Sequence, residues 1–329
     1  MKRVASIALS FLLIFTLLST EMSTFVAYAA GGGVTGDCKW SIEGTTLVIS
    51  GNGKMGDYNP DAYVASTAPW QSSNITQVII QKGVTSIGDC AFYDCKKLTN
   101  ITIPDSVIAI GFYAFRDCTS LATITLPDSA INIGQGAFLG CTNLTEITIP
   151  NGVKRINIDT FWGCTKLAYI TIPDTVTSVG EGAVSDTLWL SNQPDGVVYA
   201  GKVAYTCKGT YPSVISLREG TTEIAGRAFW GCTELEHIIL PDSVENIGYM
   251  AFSDCTGLAS VAVSSDNPVY YAENNCLIEK ATNRLVFGCK NSVIPDEVTG
   301  IGDCAFFGCT GLEMITIPEG VTSIGDDAF

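Results

Sequence analysis

Residues 98–120 read LTNITIPDSVIAIGFYAFRDCTS, and this stretch predicts one compact turn of chain. Ile101 and Ile103 alternate with polar residues, which is typical of a short β-strand that buries one face. Pro104 ends that strand because proline cannot donate a hydrogen bond to a strand ladder. Val107 begins a second short extended segment that returns to the same core. The turn therefore offers two strands and an apolar face that it cannot bury alone.

The second half of the stretch supplies the side chains that close the turn. Gly111 permits a bend that a Cβ would hinder. Ala114, Phe115 and Cys118 are apolar, and we expect them to fill the far side of the turn from a helical turn or a tight loop.

This pattern recurs at a step of 23 residues within each of two groups of repeats, as its cysteines show: Cys95, Cys118, Cys141, Cys164, Cys232 and Cys255. A fixed period of about 20 to 50 residues is the signature of a solenoid. About ten turns, two of them interrupted, follow one another from residue 75 to residue 329. The sequence predicts a mainly β solenoid, in which stacked short strands are joined by irregular or short helical loops.

The chain has 13 cysteines, which in an exported protein would first suggest disulfides. One cysteine per turn at the same position, however, places neighbours in a column about 4.8 Å apart, all facing the same way. We therefore predict mostly buried thiols. Cys90 with Cys95 and Cys304 with Cys309 are exceptions, because each pair is five residues apart in one loop. These pairs could form local bridges or bind a metal, although their spacing is not the C-x2-C of zinc sites.

Two segments, residues 188–211 and 266–289, break the period. Each contains two β-rich runs around a turn, the pattern of a β-hairpin. Cys207 and Cys289, each followed by lysine, close the two segments alike. We therefore expect two copies of one hairpin insertion.

Residues 1–29 have the pattern of a secretory signal peptide. Lys2 and Arg3 precede an apolar run, and the small residues around Tyr28 place the cleavage site near Ala29/Ala30. The run is shorter than the roughly 20 residues of a membrane-spanning helix, and no second run of spanning length follows. The mature chain is expected to be exported, without a membrane span.

The charge of the chain argues against nucleic-acid binding. The formal net charge is −15, and removal of residues 1–29 changes it to 16 − 32 = −16. Such an acidic surface repels phosphate backbones. Charged residues make up only 16% of the chain, so the surface must be rich in small polar residues.

Catalytic chemistry is not evident in the sequence. The single histidine, His237, falls on the outward side of a strand, and no nucleophile, metal or phosphate-binding motif accompanies it. Aspartates such as Asp105 and Asp128 recur directly after proline, where they favour a turn. We expect no enzyme activity, no cofactor and no metal site.

The outward positions of the longer strand vary from turn to turn, whereas their flanking positions do not. Solenoids commonly bind ligands on such an open face. The variable positions are the candidate contact residues: Asn100, Thr123, Glu146, Tyr169, His237, Ser260 and Met314.

A second group of candidates follows the repeated phenylalanine and is rich in aromatic residues: Tyr93, Arg116, Leu139, Trp162, Trp230, Ser253 and Phe307. Exposed aromatic rings stack on sugars or anchor protein partners. Alternatively, these side chains lie over the loops as the rim of the core. Trp162 and Trp230 are the binding candidates from this group.

The consensus L-x-x-I-x-I-P-x-x-V-x-x-I-G-x-x-A-F-x-x-C resembles the BspA-like class of leucine-rich repeats over about residues 75–329. Residues 39–70 resemble the lead-in that precedes such arrays. We therefore expect residues 30–74 to form a β-rich cap over the apolar end of the first turn. The chain stops at Phe329 within a repeat, where proteins of this class usually continue into an anchor or a further domain.

The resemblance also implies a function. Similar proteins are secreted or displayed on the cell surface, where they adhere to host or matrix proteins, other cells or polysaccharide. Adhesion through protein or glycan ligands is therefore the expected function. The alternative is a structural spacer that presents a C-terminal catalytic or anchoring module.

Overall fold

Each regular turn of the chain contributes a longer strand, a corner, a shorter strand and a loop. Successive turns pair in parallel, with equivalent residues side by side. The computed structural model describes residues 31–58 and 66–329. It is a β-solenoid of about 11 turns with almost no helix. The predicted fold class is confirmed.

The longer strands form one side of the solenoid, which we call the long-strand face. They are β3 (Thr46–Gly51), β5 (Gln77–Ile80), β7 (Asn100–Thr102), β10 (Glu146–Thr148), β12 (Tyr169–Thr171), β16 (Val214–Ser216), β18 (His237–Leu240) and β20 (Ser260–Val263). In β7, Ile101 is buried between exposed Asn100 and Thr102, as the alternation predicts.

The shorter strands form a second column around the corner. They are β4 (Gly53–Lys54), β6 (Val84–Ile87), β8 (Ala109–Ile110), β9 (Asn132–Ile133), β11 (Arg155–Ile156), β13 (Ser178–Val179), β17 (Glu223–Ile224), β19 (Asn246–Ile247), β24 (Gly300–Ile301) and β25 (Ser323–Ile324). Their isoleucine or valine points to the core in most turns.

An antiparallel unit covers the first turn. β1 (Gly31–Thr35) pairs with β2 (Cys38–Glu43), which pairs with β3, and β3 then runs parallel to β5. Trp70 is fully buried beneath this unit and donates its indole N–H to the carbonyl of Ala91 at 2.8 Å. The antiparallel strands thus occupy the apolar end of the stack that the first turn would otherwise expose.

Both interruptions of the period contain antiparallel strands. Their elements are α1 (Leu188–Ser191), β14 (Gly196–Ala200) and β15 (Val203–Lys208) in the first, and β21 (Tyr270–Glu273), β22 (Cys276–Glu279) and β23 (Arg284–Phe287) in the second. β15 pairs in parallel with β17, and β23 with β24, so each hairpin returns the chain to the short-strand column. The helical turn α1 and the third strand β21 were not predicted.

The two hairpins do not align by their cysteines. The backbone N–H of Cys207 donates to the carbonyl of Ala228, and that of Gly288 donates to the carbonyl of Ala305. Because Ala228 and Ala305 occupy the same repeat position, Cys207 corresponds to Gly288. The alignment with Cys289 was therefore wrong by one residue, since identical residues close the two hairpins at different registers.

One aromatic ring per turn builds the centre of the core. Rings stack with centroids 5.3 Å apart for Phe92 and Phe115, 5.4 Å for Phe115 and Phe138, and 5.6 Å for Phe138 and Phe161. This column stops at Val184, where the first interruption begins, and resumes at Phe229. The repeated phenylalanine is thus a core element within each group of repeats rather than a surface feature.

The repeated cysteines lie beside that column. The thiols of Cys118, Cys141, Cys164 and Cys255 donate to phenylalanine carbonyls of the preceding turn at 3.0, 3.1, 3.1 and 2.9 Å. Burial raises the pKa of Cys118 and Cys141 well above the ordinary value, because a thiolate would lose its hydration there. The buried thiol column predicted from the spacing is present, and each thiol also satisfies a buried carbonyl.

Neither of the two local cysteine bridges is present, because Cys95, Cys304 and Cys309 are reduced. Cys304 donates instead to the hydroxyl of Tyr249 at 3.4 Å, and Cys309 to the carbonyl of Gly288 at 3.5 Å. Within residues 31–58 and 66–329, no three potential ligands converge where they could hold a metal ion.

The loops after the short strands are tight turns that rely on left-handed backbone. Tyr113 and Asp117 have φ of 53° and 58°, and the equivalents of Asp117 in other turns are aspartate or glycine, the residue types that tolerate this region. Gly111 has a different role from the predicted bend. A Cβ there would lie 2.6 Å from the backbone nitrogen of Asp89 in the preceding turn, so glycine permits close stacking.

The predicted signal peptide lies outside the residues that the structure describes. Within the described part of the chain, no helix has the length and apolar character needed to cross a bilayer.

Candidate ligand-binding face

Several candidate residues of the long-strand face pair in register, and the 23-residue step of the sequence places Asn100 one turn before Thr123. Gln77 pairs with Asn100, Thr123 with Glu146, and Glu146 with Tyr169. Because paired residues of a parallel sheet point the same way, their outward side chains form a row along the solenoid. We call Asn100, Thr123, Glu146 and Tyr169 the N-terminal row.

A second row follows after a break. Val214 pairs with His237, which pairs with Ser260, and we call these three residues the C-terminal row. Between the rows, α1 takes the place of a long strand, and Trp189 donates its backbone N–H to the carbonyl of Leu167 at 2.6 Å. The single surface expected from the sequence is thus divided into two.

Val214 was missed as a candidate because its repeat starts inside an interruption. The residues 214–217, VISL, retain the alternation of the longer strand, and this signal could have identified it. In the structure Val214 is exposed and Ile215 is buried.

Met314 lies outside both rows. It is 85% exposed, and residues 312–318 belong to none of the described strands. Its inclusion in one continuous surface with Asn100 and Tyr169 is therefore not supported by strand pairing.

The two rows differ in chemistry. In the N-terminal row, Tyr169 is 72% exposed beside the carboxylate-bearing Glu146. In the C-terminal row, His237 Nδ1 lies 2.6 Å from Ser260 Oγ, and exposed Ile239 follows on the same strand. The histidine and serine form a cross-strand hydrogen bond on an open face.

Trp162 and Trp230 are half-exposed and are also held in place. Each indole N–H donates to an aspartate of the next turn at 2.7 Å, Trp162 to Asp186 and Trp230 to Asp254. The guanidinium of Arg227 lies 5.3 Å from the Trp230 ring. The rings thus lie across the loop edge, as the core-rim interpretation expects, yet leave 45% and 54% of their surface open to solvent.

The repeating turn, its phenylalanine and thiol columns and its open strand face define a leucine-rich repeat protein. Residues 66–190, 203–287 and 285–329 match the BspA type leucine rich repeat region, in 6 copies. The chain belongs to this family, as the resemblance predicted. Membership is consistent with a surface or adhesion-type protein.

Solved structures include similar bacterial proteins. A leucine-rich repeat protein from Eubacterium ventriosum is 22% identical over 91% of this chain and 63% of its own, with a TM-score of 0.35. A leucine rich cell surface protein from Faecalibacterium prausnitzii is 26% identical over 92% of this chain and 75% of its own, with a TM-score of 0.38. A leucine-rich repeat protein from Bacteroides ovatus is 21% identical over 93% of this chain and 91% of its own, with a TM-score of 0.38.

This chain therefore spans less than two thirds of the length of the Eubacterium ventriosum protein. The comparison with curated proteins finds no match. The absence of enzyme activity stays a prediction.

Proposed function

We propose that this is an exported, cell-surface adhesion protein that binds protein or glycan ligands through its long-strand face. The observation that carries the proposal is the N-terminal row, in which variable outward side chains lie side by side on a rigid stack of buried phenylalanines. Such a surface can vary in chemistry without disturbing the fold, because the outward residues take no part in the core.

Tyr169 is the strongest contact candidate in this row. A tyrosine offers a large apolar ring with a polar tip and loses little conformational entropy on binding. Its ring is mostly exposed although the strand that carries it is fixed by pairing with β10. In the C-terminal row Val214 is exposed, and Ile239 beside this row is exposed as well, so apolar side chains are also available there. A broad, open face of this kind suits a host or matrix protein. The same residues would contact polysaccharide or the surface of another cell.

The proposal predicts saturable binding that depends on Tyr169. The mature chain is applied to arrays of matrix proteins and glycans, and each ligand found is titrated against Tyr169→Ala. We expect at least about tenfold weaker binding, as for an aromatic anchor at the centre of an interface. The melting temperature should not change, because the side chain is exposed.

Phe112→Ala is the matched control. Phe112 is also an exposed aromatic residue, at 54%, but it follows the short strand β8 on another side of the solenoid. Equal losses in both variants, or no saturable binding to any arrayed ligand, would count against the proposal and favour the alternative of a structural spacer.

A further inference from the structure

The first hairpin insertion separates two turns of the solenoid, and the side chain of Tyr205 fills the space between them. Tyr205 is a bulge residue, since β14 pairs with Ala204 and Thr206 on either side of it. Its hydroxyl accepts a hydrogen bond from the backbone N–H of Val184 and lies within 3.4 Å of Ser185 Oγ. The side chain is buried.

The second hairpin insertion has valine at the same place. Ala204 pairs with Ile224 and Leu285 with Ile301, which are equivalent positions of the repeat, so Tyr205 corresponds to Val286. Val286 is likewise skipped in the pairing of β22 with β23. The second insertion has the ring of the neighbouring Phe287, whose centroid lies 4.8 Å from that of Phe252, but it lacks the hydroxyl that completes the first.

Among the residues that the structure describes, polar groups that line the same cavity as Val286 have no protein partner. Ser253, the equivalent of Ser185, is 3% exposed, and its hydroxyl has no hydrogen-bond partner within the described part of the chain. In the preceding turn, the N–H groups of Arg227 and Phe229 donate to the next turn at 3.0 and 2.8 Å. Among residues 66–329, the corresponding N–H groups of Met250 and Phe252 have no such backbone acceptor.

These groups line a cavity of about 250 Å³ between the turns of Phe252 and Phe306. The apolar core divides here into two separate clusters. Tyr249, Glu279, Arg284 and Asp303 also line the cavity, and the Arg284 guanidinium lies 3.2 Å from the Asp303 carboxylate. The cavity thus combines buried donors, both signs of charge and an exposed aromatic ring.

We propose that this cavity binds a neutral, hydroxyl-rich ligand, a single sugar residue. A sugar hydroxyl both accepts and donates, so it can replace the absent tyrosine hydroxyl beside Ser253 and the Phe252 N–H. The carboxylates of Glu279 and Asp303 can accept hydrogen bonds from further sugar hydroxyls, and the guanidinium of Arg284 can donate to them. The ring of Tyr249 can stack on the apolar face of a sugar. Glu279 and Asp303 repel an anion, and because Arg284 pairs with Asp303 the lining keeps a net charge of only −1 to attract a cation. The volume lies below the range of about 300 to 1,000 Å³ that is usual for pockets of drug-sized ligands.

The site is tested with free glucose, galactose, mannose and N-acetylglucosamine, by saturation-transfer NMR and calorimetry on the mature chain. We expect at least one sugar to bind at one site with a Kd of about 1 mM, consistent with a few hydrogen bonds. Inorganic phosphate and free lysine serve as charged probes. No sugar binding, or binding of a charged probe in preference to the sugars, would overturn the assignment.

Two variants locate the binding. Val286→Tyr copies the first hairpin, so it should weaken sugar binding at least about tenfold and raise the melting temperature. Ser253→Ala removes one hydrogen bond without filling the cavity, and we expect about fivefold weaker binding. Sugar affinity unchanged in both variants would overturn the proposal.

Tyr205→Phe is the matched control in the first hairpin. It should lower the melting temperature, because Val184 N–H and Ser185 Oγ lose their partner, but leave sugar affinity unchanged. Phe112→Ala should also leave sugar affinity unchanged, because its exposed ring does not line the cavity. Tyr169→Ala tests adhesion and Val286→Tyr tests this site, so failure of one is distinguished from failure of the other.

Discussion

We expect the free energy of unfolding to fall by at least about 5 kcal/mol when the pH rises from about 8 to about 10, because the folded chain holds several buried thiols protonated. Burial raises the pKa from 9.0 to about 12 for Cys95, Cys255 and Cys309, and to about 11 for Cys276. Burial also raises the pKa of Cys118 and Cys141, which adds to the effect.

The direction follows from proton binding in the two states. Above a pH of 9.0, the unfolded chain loses thiol protons that the folded chain keeps, so unfolding becomes more favourable as the pH rises towards 11 or 12. Each fully shifted thiol contributes about 1.4 kcal/mol in total between pH 8 and pH 10, because its unfolded pKa of 9.0 lies in the middle of that range. Below the unfolded pKa, both states are protonated and the stability is independent of these groups.

Urea unfolding in the presence of a reductant, at several pH values, measures this dependence. Cys255→Ala is the control, since it removes one buried thiol that bonds the Phe229 carbonyl. Between pH 8 and pH 10, the free energy of unfolding of the variant should fall by about 1.4 kcal/mol less than that of the parent chain. A flat profile in the parent, or the same slope in the variant, would show that the thiols are not the cause.

Phe138→Ala should lower the free energy of unfolding by about 4 kcal/mol, the range of phenylalanine truncation in a packed core. The ring is fully buried and stacks on both Phe115 and Phe161. Truncation therefore weakens two interfaces between turns, and the stability of a solenoid depends on such nearest-neighbour interfaces.

The measurement is the urea midpoint at pH 7.5 with a reductant present. Phe112→Ala is the comparison, because its exposed ring contributes little to the core, and we expect a change within about 0.5 kcal/mol. If both truncations have the same small effect, the phenylalanine column does not hold the turns together.

Much of the architecture could be predicted from the sequence because its causes are local and repeated. The alternation around Ile101 shows which strand face is buried, Pro104 marks the strand end, and the fixed step places Phe138 and Cys141 above their equivalents. Once each turn has the same apolar pattern, parallel stacking is the arrangement that buries all of them.

The candidate face was predictable only within a regular group of repeats. Thr123, Glu146 and Tyr169 lie in one row because an unchanged step carries each residue onto the next, and Asn100 precedes Thr123 by the same step in the sequence. Val214 could have been identified from the alternation of residues 214–217, but the division of the face by α1 was not predictable, because the N–H of Trp189 reaches the carbonyl of Leu167 through tertiary packing.

The sequence by itself determined the solenoid, its buried phenylalanine and thiol columns and the outward positions of its strands, because a short repeat specifies the environment of each residue many times over. The tertiary structure alone decided how the two hairpins rejoin the stack, where Tyr205 fills a gap that Val286 leaves open. A bulge shifts the pairing by one residue, and its position depends on contacts between residues far apart in the chain.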